Sequence, residues 1–261
     1  MNVKQSTKVH WEKFWENRTD IDQVYSNEDR IYKNLASITP ISAKKILEVG
    51  SGSSRDSLQL ASAGAQVFVL DYSSKSLEIS YQLAQNNGQQ INCIQADALQ
   101  MPVADETFDI VFHQGLLEHF RDPMPILQEN YRVLKPNGLL LVDVPQRYHI
   151  YTAIKHILIL LNKWFAGWET EFSIRELRQL LKQTGFVIKT EYGNWMRPSL
   201  LYRIIREICK KIGLKLPLYP GGFKSIGTIR DKIRKQVSAQ RWAFYTFLDI
   251  GVIGQKNNMG K

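Results

Sequence analysis

The first strand-like run of this 261-residue chain ends in Glu48-Val49-Gly50-Ser51-Gly52-Ser53-Ser54-Arg55, a carboxylate followed by two glycines one residue apart. Glycine adopts backbone conformations closed to other residues, so such a turn bends sharply and lets main-chain N–H groups approach a ligand at the start of a helix. Asp71 stands 21 residues after Gly50 and ends a second apolar run, a position from which a carboxylate accepts hydrogen bonds from both hydroxyls of a ribose. Asp97, in Gln95-Ala96-Asp97-Ala98, ends a third run and adds an acceptor at the same edge. Alone, the glycine pair is a tight turn and each aspartate a helix cap. Together they line a crevice suited to a nucleoside. A dinucleotide fingerprint, G-x-G-x-x-G, would place its third glycine at position 55, where Arg55 stands, and this argues against a nicotinamide cofactor. His113 and His119, beside a fourth run, are the candidate proton acceptors, because imidazole titrates near neutrality.

These side chains converge only if the runs that carry them lie side by side. Ile46–Val49, Gln66–Asp71, Ile91–Gln95, Phe108–Phe112 and Leu139–Asp143 are short, apolar and bounded by turn residues, the pattern of strands buried on both faces. Helical spacing separates them at 54–63, 74–87 and 123–134. The alternation predicts a parallel sheet with helices on both faces, whose carboxyl edge gathers the candidate residues.

Beyond the fifth strand, Ile150, Ala153, Ile154, Ile157, Leu158 and Leu161 mark an amphipathic helix over 150–165. Ser173 and Glu176 form a capping box that opens a helix closed by Gly185, and Phe186–Tyr192 reads as a sixth strand. The aromatic and β-branched run Ala243–Gly254 reads as the last strand. The predicted domains are an N-terminal helical cap, 1–40, and one catalytic domain, 41–261. The latter carries a lid helix at 149–165 and a basic helical insertion at 197–241.

Charge is unevenly distributed. From Arg197 to Arg241 there are twelve basic and two acidic residues, a net +10, whereas the remainder sums to −1. That is a local footprint for an anionic partner. Within it, Leu200, Leu201, Ile204, Ile205, Ile208 and Ile212 share one helical face, and Arg203, Arg206, Lys210 and Lys211 the other. Cys93 and Cys209 have the spacing of neither a disulfide framework nor a zinc site and are read as buried or incidental thiols. Residues 1–20 lack the apolar core of a signal peptide, and the longest aliphatic run, Ile157–Leu161, is far short of the ~20 residues that span a bilayer. The expected location is the cytoplasm, with peripheral attachment to the inner face of the membrane through the basic segment.

The ordered motifs from Lys45 to Tyr192, with the last strand, resemble the class I S-adenosylmethionine-dependent methyltransferases. The resemblance implies a Rossmann-like, doubly wound α/β fold with seven strands in the order 3-2-1-4-5-7-6, the last antiparallel, plus helical lid insertions. It also implies S-adenosyl-L-methionine as cofactor. Glu48, Gly50, Ser51 and Gly52 would cradle its methionine part, Asp71 its ribose, and Asp97 and Ala98 its adenine, with Tyr72 as a further cofactor contact. His113 occupies the place of a backbone carbonyl near the cofactor's amino group, and Ser54 replaces a frequent third glycine. Trp11, Phe14 and Trp15 fall on an N-terminal helix that in this family often covers the cleft; packing into the core is the preferred reading of the cluster here. Tyr25 or Tyr32 would approach the methionine carboxylate.

Leu116-Leu117-Glu118-His119-Phe120 and Arg132-Val133-Leu134-Lys135-Pro136-Asn137-Gly138 look like the subgroup containing the quinone-pathway methyltransferases. The quinone O-methyltransferases carry a further glutamate where this chain has Gly115, so no metal site is expected. His113 and His119 remain as catalytic candidates and Glu118 as a structural residue. The expected partner is a small-molecule or lipid-linked acceptor, with an anionic membrane surface. The alternatives are a nucleic-acid methyltransferase using the basic insertion and a non-catalytic protein that binds the cofactor.

Overall fold

The computed structural model describes residues 7–17, 29–164, 166, 168–219, 232–234, 236–238 and 240–257. Its centre is a seven-stranded sheet in the order β3-β2-β1-β4-β5-β7-β6. The strands are β1 (Lys45–Val49), β2 (Gln66–Asp71), β3 (Asn92–Gln95), β4 (Phe108–Gln114), β5 (Leu134–Pro145), β6 (Phe186–Asn194) and β7 (Asp249–Lys256). β7 runs antiparallel to both neighbours, and the pairings among β1 to β5 are all parallel.

Alternating side chains on each strand feed two cores. Ile46, Val67, Val69, Ile110, Phe112 and Leu141 pack with Ile31, Leu35, Leu60 and Leu77. Those last four come from α2 (Arg30–Ala36), α3 (Arg55–Ser62) and α4 (Ser74–Asn86). On the opposite face Leu47, Val49, Val111, Leu140 and Val142 pack with Ile126, Leu127, Leu177 and Leu181 of α5 (Met124–Val133) and α7 (Ile174–Gln183). The Ser173–Glu176 capping box is formed in both directions and starts α7 where the sequence placed it. Arg132 of α5 reaches the carbonyls of Met101 and Val103 and the carboxylates of Asp105 and Glu129, fixing the loop that leads into β4.

Three expectations are revised. β3 lies at the sheet edge and is mostly exposed, including Cys93, so it is not buried on both faces. Residues 241–245 form a 3-10 helix and the last strand begins only at Asp249, because the aromatic side chains there pack on one another instead of pairing. The helix expected as a lid, α6, spans Ile150–Leu160, stops short of Phe165, which lies outside the described residues, and contributes no residue to the cleft described below. Its apolar stripe faces outward: Ile150, Ile157, Leu160 and Leu161 are exposed while Thr152 and Lys155 are buried. The basic insertion contributes α8 (Leu200–Lys211), capped by Ser199, and residues 220–231 of it lie outside the described residues. Among the described residues no helix is long and apolar enough to cross a membrane.

Candidate functional site

Strand pairing brings the carboxyl ends of β1, β2 and β4 together, and a cleft of about 1320 Å³ opens above them. Its floor is the loop after β1. Gly50 and Gly52 have φ of +65° and +53°, and Ser54 adopts the same left-handed region at +53°, so the position lacking a third glycine keeps the glycine conformation. The Ser54 hydroxyl lies 2.7 Å from that of Ser80 on α4, a contact that offsets part of the strain. The N–H groups of Gly50 and Ser51 donate to the Leu70 carbonyl, tying the loop to β2.

Asp71 governs the loop as much as it faces the cleft. Its carboxylate accepts from the N–H groups of Gly52 (3.0 Å) and Ser73 (2.9 Å) and from the Ser76 hydroxyl (3.0 Å). Burial raises its pKa in spite of these donors. Since an ionised carboxylate offers about four acceptor positions, capacity remains for a ligand hydroxyl. Tyr72 and Ala98 line the same wall, and burial pushes the Tyr72 phenol above its usual range. Asp97 is exposed at the rim, where it accepts from the Leu99 N–H at 2.9 Å.

Glu48 and Ser51 differ from these. Both are buried and line the cleft, yet Glu48 Oε2 and Ser51 Oγ have no hydrogen-bond partner among the described residues. Burial, reinforced by Asp56 and Asp71, lifts the Glu48 pKa well above the ordinary carboxylate range. A buried acceptor left unmatched costs about 1 to 3 kcal/mol, so the site is arranged for a donor from outside the protein.

The wall opposite the loop is α1 (Lys8–Glu16), none of whose residues is buried. Trp11 and Trp15 line the cleft, which overturns the preferred core-packing reading of the aromatic cluster. Trp11 meets His119 edge-on at 4.9 Å between ring centroids. Glu12 accepts from the Ser74 hydroxyl at 2.6 Å and the Lys75 N–H at 3.3 Å, in the first turn of α4. Bonds from serine hydroxyls hold its pKa low, and a carboxylate at a helix N-terminus is favoured by the helix dipole. These bonds latch α1 to the start of α4 along one wall of the cleft.

The two histidines separate. His113 lies within β4 rather than past it, has 0% exposure and does not line the cleft. Neither ring nitrogen has a partner among the described residues, and burial drives its pKa down to about 3. As a side chain it cannot serve as the base expected of it. Its neighbour Gln114, the last residue of β4, lines the cleft instead. His119, in the 3-10 turn Leu117–His119, does line the cleft, and burial lowers its pKa so that it is neutral at pH 7. Glu118 is buried, lies off the cleft wall, and is held well above the carboxylate range by burial and by Glu169. Leu116 and Phe120 also line the cleft and had no sequence signal beyond their place beside the Glu118-His119 pair. Tyr25 lies outside the described residues.

A family model described as a methyltransferase domain matches residues 47–142. An uncharacterized methyltransferase of Bacillus subtilis is 36% identical over 103 residues, 39% of this chain and 40% of that protein. A demethylmenaquinone methyltransferase of a Geobacillus species is 30% identical over 168 residues, 55% of this chain and 71% of that protein. Ubiquinone biosynthesis O-methyltransferases also match, and the chain spans 47 to 64% of their length. Among solved structures, magnesium protoporphyrin IX methyltransferase of Synechocystis with bound S-adenosylhomocysteine superposes with a TM-score of 0.62 at 14% identity. That superposition covers 96% of this chain and 99% of the other, and shows a shared fold.

Proposed function

Because the chain belongs to the class I S-adenosylmethionine-dependent methyltransferases, we propose that it transfers the methyl group of that cofactor to a small-molecule or lipid-linked acceptor. The observation that carries the cofactor assignment is the unmatched pair Glu48 Oε2 and Ser51 Oγ at the cleft floor. Glu48 would pair with the ammonium of the methionine part, the loop N–H groups would hold its carboxylate, and Asp71 would receive the ribose. Tyr72, Asp97 and Ala98 would frame the adenine. The cofactor supplies an electrophilic methyl on a sulfonium, so this chain's residues chiefly orient a nucleophile and exclude water.

The volume of about 1320 Å³ exceeds the ~300 to 1,000 Å³ usual for one ligand, and supports a second reactant in the same cleft. His119 stands on the wall between Trp11 and the β4 end, where it would take a proton from an oxygen acceptor. Relatives named for demethylmenaquinone, ubiquinone and magnesium protoporphyrin make planar quinone-like and porphyrin-like molecules the first acceptors to try. Peripheral placement at the cytoplasmic face of a membrane is part of the same reading. Its support is the basic segment that follows β6, a strand ending at the carboxyl edge of the sheet. The nucleic-acid alternative loses ground because α8 presents its aliphatic side chains outward.

Calorimetry with S-adenosylmethionine, S-adenosylhomocysteine and NAD tests the cofactor. Binding of the first two alone is expected, and binding of NAD alone would refute it. A product assay for S-adenosylhomocysteine across quinol and porphyrin acceptors tests catalysis; cofactor binding with no turnover on any acceptor class would favour the non-catalytic alternative.

A further inference from the structure

Helix α6 is mounted with its polar side inward. The Lys155 ammonium, 2% exposed, lies 2.8 Å from Glu169 Oε2 and 2.9 Å from Glu171 Oε1. Glu169 also accepts from the Trp164 indole, and Thr152 donates to the Gln146 carbonyl. A buried ammonium is tolerated only with partners of this kind, so turning the helix about its axis would strand a charge. The orientation is therefore imposed, and it leaves Ile150, Ile157, Leu160 and Leu161 between 55 and 82% exposed.

On α8, too, the aliphatic face is exposed, although no residue of that helix is buried. Leu201, Ile204, Ile205, Ile208 and Ile212 are exposed, whereas Arg203 spends its guanidinium on the carbonyls of Arg197 and Pro198, under its own first turn. Both helices leave strands that end at the carboxyl edge of the sheet, and Arg203 is close enough to act electrostatically on Tyr151 of α6. Lys163 follows α6, and Lys210, Lys211 and Lys215 end α8 and follow it, all exposed. Aliphatic strips flanked by exposed lysines match a bilayer with anionic headgroups, where apolar side chains enter the acyl boundary and cations stay at the phosphates.

We infer that α6 and α8 together form a docking face that lies in the plane of an anionic membrane, with the Lys155 ion pairs as the device that turns α6 outward. The inference rests on the reading of a lipid-linked acceptor only for its purpose; the surface stands on its own geometry.

The experiment is co-sedimentation of the full chain with vesicles of phosphatidylcholine alone and with phosphatidylglycerol added, at low and moderate salt. Calorimetric binding of S-adenosylmethionine is measured on the same samples. Sedimentation with the anionic vesicles alone, weakened by salt, is expected. Ile157→Glu with Leu160→Glu should reduce it about tenfold or more, as expected when two inserted aliphatic side chains become charges, and leave cofactor binding unchanged. Lys210→Gln, Lys211→Gln and Lys215→Gln together should reduce its salt dependence. Leu160→Cys carrying an environment-sensitive dye, with Cys93 and Cys209 replaced by Ser, should shift to the blue on the anionic vesicles. A wild type that stays in the supernatant with both vesicles overturns the inference, as does sedimentation unaffected by the glutamate pair or a dye that does not respond. A concentration-dependent dimer without vesicles, abolished by the glutamate pair, assigns the face to a second copy and overturns it too. Intact cofactor binding in any of these cases leaves the methyltransferase reading standing; lost cofactor binding with intact sedimentation refutes that reading and spares this one.

Discussion

The indole of Trp15 rests directly on the Cα of Gly52: a Cβ built there would lie 2.8 Å from Trp15 Cζ2. The glycine thus makes room for the cover of the cleft as well as for a left-handed turn. Gly52→Ala should strain the loop and push Trp15 aside at once. An alanine at positive φ costs roughly 1 to 2 kcal/mol, and cofactor affinity should fall by about tenfold. A tryptophan fluorescence titration reads both effects, and an unchanged emission spectrum would show that Trp15 does not cover the loop.

Cofactor binding should release a proton. Burial keeps Glu48 protonated to higher pH than an ordinary carboxylate in the free protein, and a cationic ammonium beside it would favour the ionised form. Affinity should therefore rise as pH climbs towards the raised Glu48 pKa and level off above it. Titration calorimetry in buffers of different ionisation enthalpy counts the proton. Glu48→Gln should bind more weakly with no proton released; a wild type that releases none would remove Glu48 from the ammonium site.

Asp71 has two tasks, so its substitution needs two measurements. Asp71→Ala removes the acceptor of three hydrogen bonds within the loop and should lower both melting temperature and affinity, the latter by about 1 to 3 kcal/mol. Asp71→Asn keeps one acceptor oxygen and should restore much of the stability while affinity stays reduced. Full affinity in both variants would separate Asp71 from the ribose.

With an oxygen acceptor, His119→Ala should lower kcat by about 10² to 10⁴, the range of general-base catalysis. Since burial depresses the His119 pKa, the wild-type rate should be flat above neutrality and fall only in acid, below the pH at which a free histidine titrates. A rate that instead falls near pH 6.5 or above would point to a different base. Activity should survive a chelator, because Gly115 stands where the quinone O-methyltransferases carry an extra carboxylate; loss restored by added divalent ion would reverse that reading.

Arg30→Ala should cost about 3 to 5 kcal/mol, the penalty for leaving a buried charge without its partner. Its guanidinium lies 2.8 Å from Asp143, whose carboxyl burial holds above the ordinary range, and 2.8 Å from Asp249. Chemical denaturation measures this; a change below about 1 kcal/mol would mean that Asp143 is neutral and self-sufficient.

How much of this the sequence disclosed depends on how local the cause was. β2 was readable to the residue because Gln66 to Asp71 is an apolar run with a turn at each end, and the α7 start because Ser173 and Glu176 satisfy each other within one turn. The strand order was readable through resemblance. The outward face of α6 was not, since periodicity reports that a stripe exists and not which way it points; Lys155 decides that through Glu169 and Glu171, beyond the end of the helix. His113 and Gln114 are one residue apart, and only the observed end of β4 tells which reaches the cleft. The Trp11 and Trp15 placement depends on Glu12 finding α4, a contact 62 residues away in sequence.

Arg30 bonds to Asp249 across 219 residues, and β7 sits between β5 and β6 although it is made after both. On a ribosome the sheet must therefore wait, with the flank of β5 open and β6 without a neighbour, until residues 249–256 have emerged. Only then can Arg30 of α2 complete its second ion pair, to Asp249, beside the one it makes with Asp143 of β5. A nascent or truncated chain lacking β7 therefore presents an open strand edge to chaperones and to other copies of itself.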